Sequence, residues 1–193
     1  MAVRELAIAG WTARDGASRH FFYRAASARL THSDAIEVSG ANSTGEAKFV
    51  LVESGGRLWA GVGSDHTDLG LERYDIAAAK QICEKPLAGG LWLFAEIQDH
   101  WNDLALRSWL VRGKDRELYQ EGSVKDLVQP AELISAYANG GSTLPDNTLI
   151  FGGAPAPIGG IRPAERFEFE LEDPVRRRSL RHDYGVRVLP SGE

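Results

Sequence analysis

The sequence predicts a mixed, β-rich fold with one or two short helices. Two observations carry this. The apolar segments are short, and glycines stand between them at Gly55-Gly56, Gly61, Gly63, Gly89-Gly90, Gly140-Gly141, Gly152-Gly153 and Gly159-Gly160. That is the punctuation of many short strands joined by turns. Only Pro130 to Ala138 carries a clear helical signature. A length of 193 residues favours a single domain over 1–193, large enough to bury a core without staples.

The elements follow in order. Arg4 to Ala9 alternates like a strand, Gly10 to His20 reads as polar and irregular, and Phe21 to Ala26 is aromatic and mostly apolar. Ile36 to Ser39 is a brief strand. Lys48 to Glu53, Gly55-Gly56 and Arg57 to Val62 spell a β-hairpin, because two adjacent glycines supply the positive φ angles of a tight turn. Leu71 to Cys83 is ambiguous: Thr67 offers a cap and Ala77-Ala78-Ala79 favours a helix that Pro86 ends. Leu91 to Ile97 and Leu104 to Val111 read as strands, the second turning at Gly113 and returning through Tyr119. Pro130 to Ala138 has proline in its first turn and Gly140-Gly141 as its stop. Thr148 to Phe151, Phe167 to Leu171 and Arg181 to Leu189 complete the strands.

Composition excludes several classes. The net charge of −5 provides no basic field for nucleic acid. No apolar run approaches the ~20 residues of a membrane span. Met1 to Gly10 lacks the apolar centre of a signal peptide, and one cysteine, Cys83, allows no internal disulfide. A cytoplasmic protein is expected.

The hairpin supplies the first chemical hint. Glu46 precedes it and Asp65 follows it, and a hairpin brings its two ends together, so two carboxylates can meet at one end of a sheet, with Lys80 downstream. Such a pair suits a hard cation such as Mg²⁺; it also fits two solvated acids at strand ends. His66 is a ligand, a base, or a hydrogen-bonding histidine. The small residues from Gly152 to Gly160 form an anion cradle of backbone N–H groups or a tight strand connection. Ser64 lies outside a GxSxG elbow, and Cys83 reads as a packed small residue.

Four segments then fall in a familiar order. They are Gly63-Ser64-Asp65-His66-Thr67, Ala79-Lys80, Tyr119-Gln120-Glu121-Gly122-Ser123 and Ile150-Phe151-Gly152-Gly153-Ala154-Pro155. The set resembles the D-x-[ST], A-K-S, Q-x-G-x-[ST] and T-G-T-P segments of the fumarylacetoacetate hydrolase superfamily. Lys80-Gln81-Ile82-Cys83, Asp99-His100-Trp101, Gly159-Gly160-Ile161-Arg162 and Leu171-Glu172-Asp173-Pro174 resemble an uncharacterised bacterial branch of it more closely. The likeness spans Ile36 to Pro190.

The resemblance implies a β-roll, a homodimer, a divalent Mg²⁺ or Mn²⁺, and a small anionic oxo-acid as substrate. By position it implies Glu46 and Asp65 as metal-binding carboxylates and Lys80 as the catalytic lysine, where positive charge would stabilise a developing oxyanion. It likewise implies Gln120, Gly153 and Pro155 as substrate-binding residues.

Departures from the pattern shape the functional expectation. Lys48 stands where the second acid of the family's E-x-E pair would be, and a lysine is no carboxylate ligand. No glutamate follows His20 in the H-x-x-E spacing of the family's lid helix, so the water activator is missing. General acid–base help is worth ~10²–10⁴-fold in rate, so hydrolysis suffers more than decarboxylation. Gly152-Gly153-Ala154-Pro155 lacks the loop's threonine hydroxyls, and Leu69-Gly70 replaces an Arg and an acid. The expectation is a metal-assisted enzyme on a small 2-oxo or 1,3-dicarbonyl acid, with decarboxylation or tautomerisation favoured over C–C hydrolysis. The alternatives are a weakened relative that binds an anionic metabolite or a partner, and a purely structural subunit.

Overall fold

The computed structural model describes residues 2–14 and 17–190. The chain opens with β1 (Glu5–Arg14) and β2 (Ala17–Ala25), which pair antiparallel. β3 (Ala35–Val38), β4 (Ala47–Ser54) and β5 (Arg57–Ser64) follow. Two short helices come next, α1 (Leu69–Glu72) and α2 (Ile76–Gln81), then a two-residue β6 (Trp92–Leu93). β7 (Ala105–Arg112) and β8 (Asp115–Ser123) form a second hairpin, and α3 (Pro130–Tyr137) leads to β9 (Thr148–Phe151). β10 (Arg166–Asp173) and β11 (Arg178–Val188) close the sequence of strands.

Among the described residues the strands form two principal sheets. One runs β6-β5-β4-β9-β1-β2 and the other β8-β7-β10-β11-β3. The parallel pairs, β1 with β9 and β11 with β3, join segments far apart in sequence. The β4–β5 turn places Gly55 and Gly56 at φ 64° and 72°, which L side chains rarely adopt. Its register pairs Ala47 with Ser64, so the expected hairpin is present and runs slightly longer than its apolar run.

β4 shows why its sequence reads as a continuous apolar run rather than an alternation. Phe49 and Leu51 enter the core between the two sheets, with Val62, Leu106, Phe167, Phe169 and Tyr184. Val50 and Val52 enter a second apolar cluster on the opposite face, with Leu6, Ile8, Leu149 and Phe151. Successive side chains of a strand point to opposite faces, so a strand covered on both needs apolar residues throughout. β10 keeps the alternation: Phe167, Phe169 and Leu171 are buried, and Glu168 and Glu172 face outward to Arg116 and Arg107.

Three local expectations change. Gly10 to Arg14 and Ala17 to His20 are strand, not irregular coil: they pair antiparallel as the outer part of the β1–β2 hairpin, whose first residues, Glu5 to Ile8, are anchored by parallel pairing to β9, about 140 positions away. Leu91 to Ile97 yields only β6 and then a 3₁₀ turn at Phe94–Glu96. Thr67 caps no helix: it pairs with Thr44 in a two-residue strand, and the caps are Asp68 for α1 and Asp75 for α2, accepting from Leu71 N at 2.9 Å and Ala78 N at 3.0 Å. α3 has the expected bounds with Pro130 in its first turn. No helix among the described residues is long and apolar enough to cross a membrane.

Candidate active site

The β4–β5 hairpin brings Glu46 and Asp65 together at its open end. Their pairing continues one step beyond the strands, with Asp65 N donating to Glu46 O at 2.9 Å. Asp65 is wholly buried. Three lysines from three parts of the chain surround its carboxylate. Lys80 from the last turn of α2 donates to Oδ2 at 2.6 Å, and Lys48 from β4 stands 3.3 Å from the same oxygen. Lys85, from the short strand Lys85–Pro86, lies 3.4 Å from Oδ1 and donates to the His66 carbonyl. Lys48 also reaches Glu46 Oε2 at 3.1 Å.

The electrostatics follow from this enclosure. Burial alone would raise the Asp65 pKa, but Lys80, Lys48 and Lys85 outweigh it and hold the carboxyl well below the usual carboxylate range. Burial would lower Lys48, yet Glu46 and Asp65 together keep it above an ordinary lysine. For Lys85 burial prevails over Asp65, and its pKa falls.

A cavity of about 90 Å³ opens beside this cluster, lined by Thr44, Glu46, Asp65, Thr67, Glu72, Lys80 and Gln120 among others. A larger cavity of about 480 Å³ on the outer face of the six-stranded sheet is walled mainly by Val50, Val52, Trp59, Leu91 and Leu149. Size and chemistry therefore disagree, and the charged groups needed for reaction lie in the smaller one.

The remaining predicted residues support the site from behind. Gln120 is buried and fully engaged: Oε1 accepts from Ala47 N at 2.8 Å and Ser108 Oγ at 2.7 Å, and Nε2 donates to the Pro155 carbonyl at 2.9 Å. It ties the start of β4 to the Pro155 loop while presenting a surface to the cavity. Pro155 packs on the Gly122 position and Gly153 lies beside Leu127, whereas Pro157 lines the cavity. Gly152 N, Ile158 N and Gly160 N donate to the carbonyls of Phe49, Tyr119 and Pro157. Of the two readings of this loop, these bonds favour the tight connection. A Cβ at Gly152 would lie 2.2 Å from the Phe49 ring, so close packing requires glycine there.

His66 is neither base nor ligand in this arrangement. Its ring nitrogens bond Tyr184 Oη at 2.9 Å and Ser43 Oγ at 3.0 Å, and burial, with Lys85 nearby, pushes its pKa down to about 3. Tyr184 in turn bonds Ser64 at 2.8 Å, so the network braces the peptide on both sides of Asp65. Burial pushes Cys83 up to about 11, which suits an inert packed thiol. Sequence reasoning missed Lys85 and Thr44. Lys85 arrives through parallel pairing with Leu30–Thr31, which leaves no local signal.

The Mg²⁺ or Mn²⁺ implied by the resemblance does not fit this donor set. Glu46 and Asp65 are bridged by the Lys48 ammonium. A divalent ion held ~4 Å from that ammonium would be repelled by roughly 8 kcal/mol at an effective dielectric of ~20. Among the described residues no group of three or more His, Cys, Asp and Glu side chains could hold a metal.

A family model described as "Protein of unknown function (DUF2848)" matches residues 2–184. No curated protein matches the sequence. Several solved structures share the fold. A yeast protein, ynq8, described as a fumarylacetoacetate hydrolase family protein, is 14% identical, with 98% of this chain and 95% of that chain covered and a TM-score of 0.72. A Burkholderia cenocepacia protein provisionally named a fumarylpyruvate hydrolase is 22% identical over 97% of this chain and 86% of that chain, with a TM-score of 0.72. A 2-keto-3-deoxy-D-arabinonate dehydratase, solved with magnesium and 2,5-dioxopentanoate, is 18% identical over 99% and 75%, with a TM-score of 0.68. At these identities the likeness is one of fold: the β-rich architecture is that of fumarylacetoacetate hydrolase-family proteins.

Proposed function

The chain belongs to the DUF2848 family, and from that membership and its fumarylacetoacetate hydrolase fold we propose an enzyme acting on a small 2-oxo or 1,3-dicarbonyl acid. Decarboxylation or keto–enol tautomerisation is its reaction. One observation carries the reading: Lys80 lines the cavity, and its ammonium is held 2.6 Å from the buried Asp65 carboxylate. In a decarboxylation the C–C bond to the leaving carboxylate breaks, CO₂ departs and the electron pair becomes an enolate. Lys80 stabilises the enolate oxygen, and a proton from solvent restores the C–H bond. Pre-placed positive charge in a water-poor site is the main requirement of such chemistry.

Two further observations support the choice of reaction and substrate. Hydrolysis needs a base that activates water, and His66 is bonded at both nitrogens with its pKa pushed down to about 3. The cavity, at about 90 Å³, is small, which suits a short oxo-acid rather than a long or bulky one. One domain over residues 1–193, a homodimer and a cytoplasmic setting belong to the same proposal.

The test is turnover of oxaloacetate, followed as CO₂ release and as loss of the enol absorbance, with and without added Mn²⁺. Wild type should exceed the protein-free rate in at least one buffer. Lys80→Met should lose ~10²-fold or more. A rate unchanged in Lys80→Met would sink the proposal.

A further inference from the structure

We infer that Lys48 is the resident cation of this site: its ammonium stands where a divalent ion would bridge Glu46 and Asp65, and small carboxylate anions bind beside it without a metal. The inference goes beyond the proposed reaction, because it concerns the source of the site's positive charge and holds whether or not the bound acid is turned over.

The geometry is that of a bridging cation. Lys48 Nζ lies 3.1 Å from Glu46 Oε2 and 3.3 Å from Asp65 Oδ2. Lys48 is buried on β4 between Ala47 and Phe49, where strand alternation sends those two neighbours to the opposite face. A buried ammonium persists only when paired, and two carboxylates pair this one.

Asp65 leaves little room for a metal. Its Oδ2 is approached by Lys80 at 2.6 Å as well as by Lys48, and its Oδ1 faces Lys85 at 3.4 Å. Hard divalent ions demand oxygen ligands in near-ideal geometry, and here the oxygens that would supply it already hold ammonium groups. Lys48 takes up the negative charge of Glu46 and part of that of Asp65. Lys80 is thereby left as the ammonium that meets an anion in the cavity.

The experiment uses the full chain, stripped of metal over a chelating resin, with Mn²⁺ and oxalate as probes. Mn²⁺ binding is read from the electron paramagnetic resonance of the free ion, and oxalate binding from calorimetry and melting temperature. Wild type should take up no Mn²⁺ at millimolar concentration, yet bind oxalate with an affinity unchanged by added Mn²⁺. Lys48→Glu should bind Mn²⁺ at least ~100-fold more tightly than wild type, since a repelling charge becomes a ligand.

Stoichiometric Mn²⁺ uptake by wild type would overturn the inference, as would oxalate binding only in the presence of metal or in neither buffer. All of these are measured on wild type, so they decide the matter even if Lys48→Glu does not fold. Metal-free oxalate binding without turnover of oxaloacetate would uphold the inference and defeat the proposed reaction. Turnover that requires Mn²⁺ would do the reverse.

Discussion

Replacing Asp65 with asparagine preserves the shape of the side chain and removes its charge from the centre of three lysines. Lys80, Lys48 and Lys85 stand 2.6, 3.3 and 3.4 Å from the carboxylate oxygens. At an effective dielectric of ~20 each contact is worth roughly 5–6 kcal/mol of gross attraction. Most of that offsets the cost of burying the charges. The measurable loss is that of breaking a buried pair, ~3–5 kcal/mol. Lys48 keeps Glu46, Lys80 keeps the Thr67 hydroxyl at 3.4 Å, and Lys85 keeps the His66 carbonyl, which holds the effect to that range.

For a chain of this length ~1 kcal/mol shifts Tm by roughly 2–4 °C, so Asp65→Asn should melt about 6–20 °C below wild type. Urea unfolding followed by tryptophan fluorescence gives the free energy, and calorimetry the Tm. The pH dependence adds a second check. The folded-state pKa of Asp65 is depressed by its lysines, so its contribution is complete above the unfolded value of ~3.9. It is lost as pH falls towards the folded value. The gap between wild type and Asp65→Asn should hold steady from neutrality to about pH 5 and begin to close below about pH 4. A loss under ~1 kcal/mol, or a gap that does not narrow in acid, would refute the view of Asp65 as the counter-ion of a buried lysine cluster.

Two further predictions concern the frame around that cluster. Gln120→Ala should cost ~2–4 kcal/mol in chemical denaturation, because the Ala47 N–H, the Ser108 hydroxyl and the Pro155 carbonyl all lose their partner in the interior. Replacement that leaves stability unchanged would show that water fills the position. His66 is buried neutral with its pKa pushed down to about 3 by burial and Lys85, so unfolding takes up a proton at any pH between that value and ~6.5. Stability should therefore fall as pH drops through this window, by up to ~1.4 kcal/mol per unit. His66→Gln should lack that component, and an identical slope in the two proteins would count against a neutral buried imidazole.

Much of the fold was legible because its signals are local. The hairpin of β4 and β5 announces itself through Gly55-Gly56, and α3 through Pro130. β9 follows its apolar run, Thr148–Phe151. The same locality made Glu46 and Asp65 readable as neighbours, since a hairpin's arithmetic places the residues flanking its strands side by side. The strands within Gly10 to His20 and the position of Lys85 were not legible. Lys85 depends on parallel pairing with Leu30–Thr31, and the polar strands extend a hairpin that is anchored to β9 only through Glu5 to Ile8; nothing in the local pattern names either distant partner.

The sequence by itself determined the strand-rich class, the order of the turns and the presence of two acids with Lys80 downstream. It also determined that Lys48 replaces an acid. Only the tertiary structure decided what that replacement does. It buried Asp65, drew Lys80 and Lys85 in from other elements, and set the Lys48 ammonium between two carboxylates at 3.1 and 3.3 Å. The physical reason is that the charge state of a group depends on its burial and on its neighbours in space. A linear pattern specifies residue types, while the packing of one segment on another specifies which charges share a low-dielectric site.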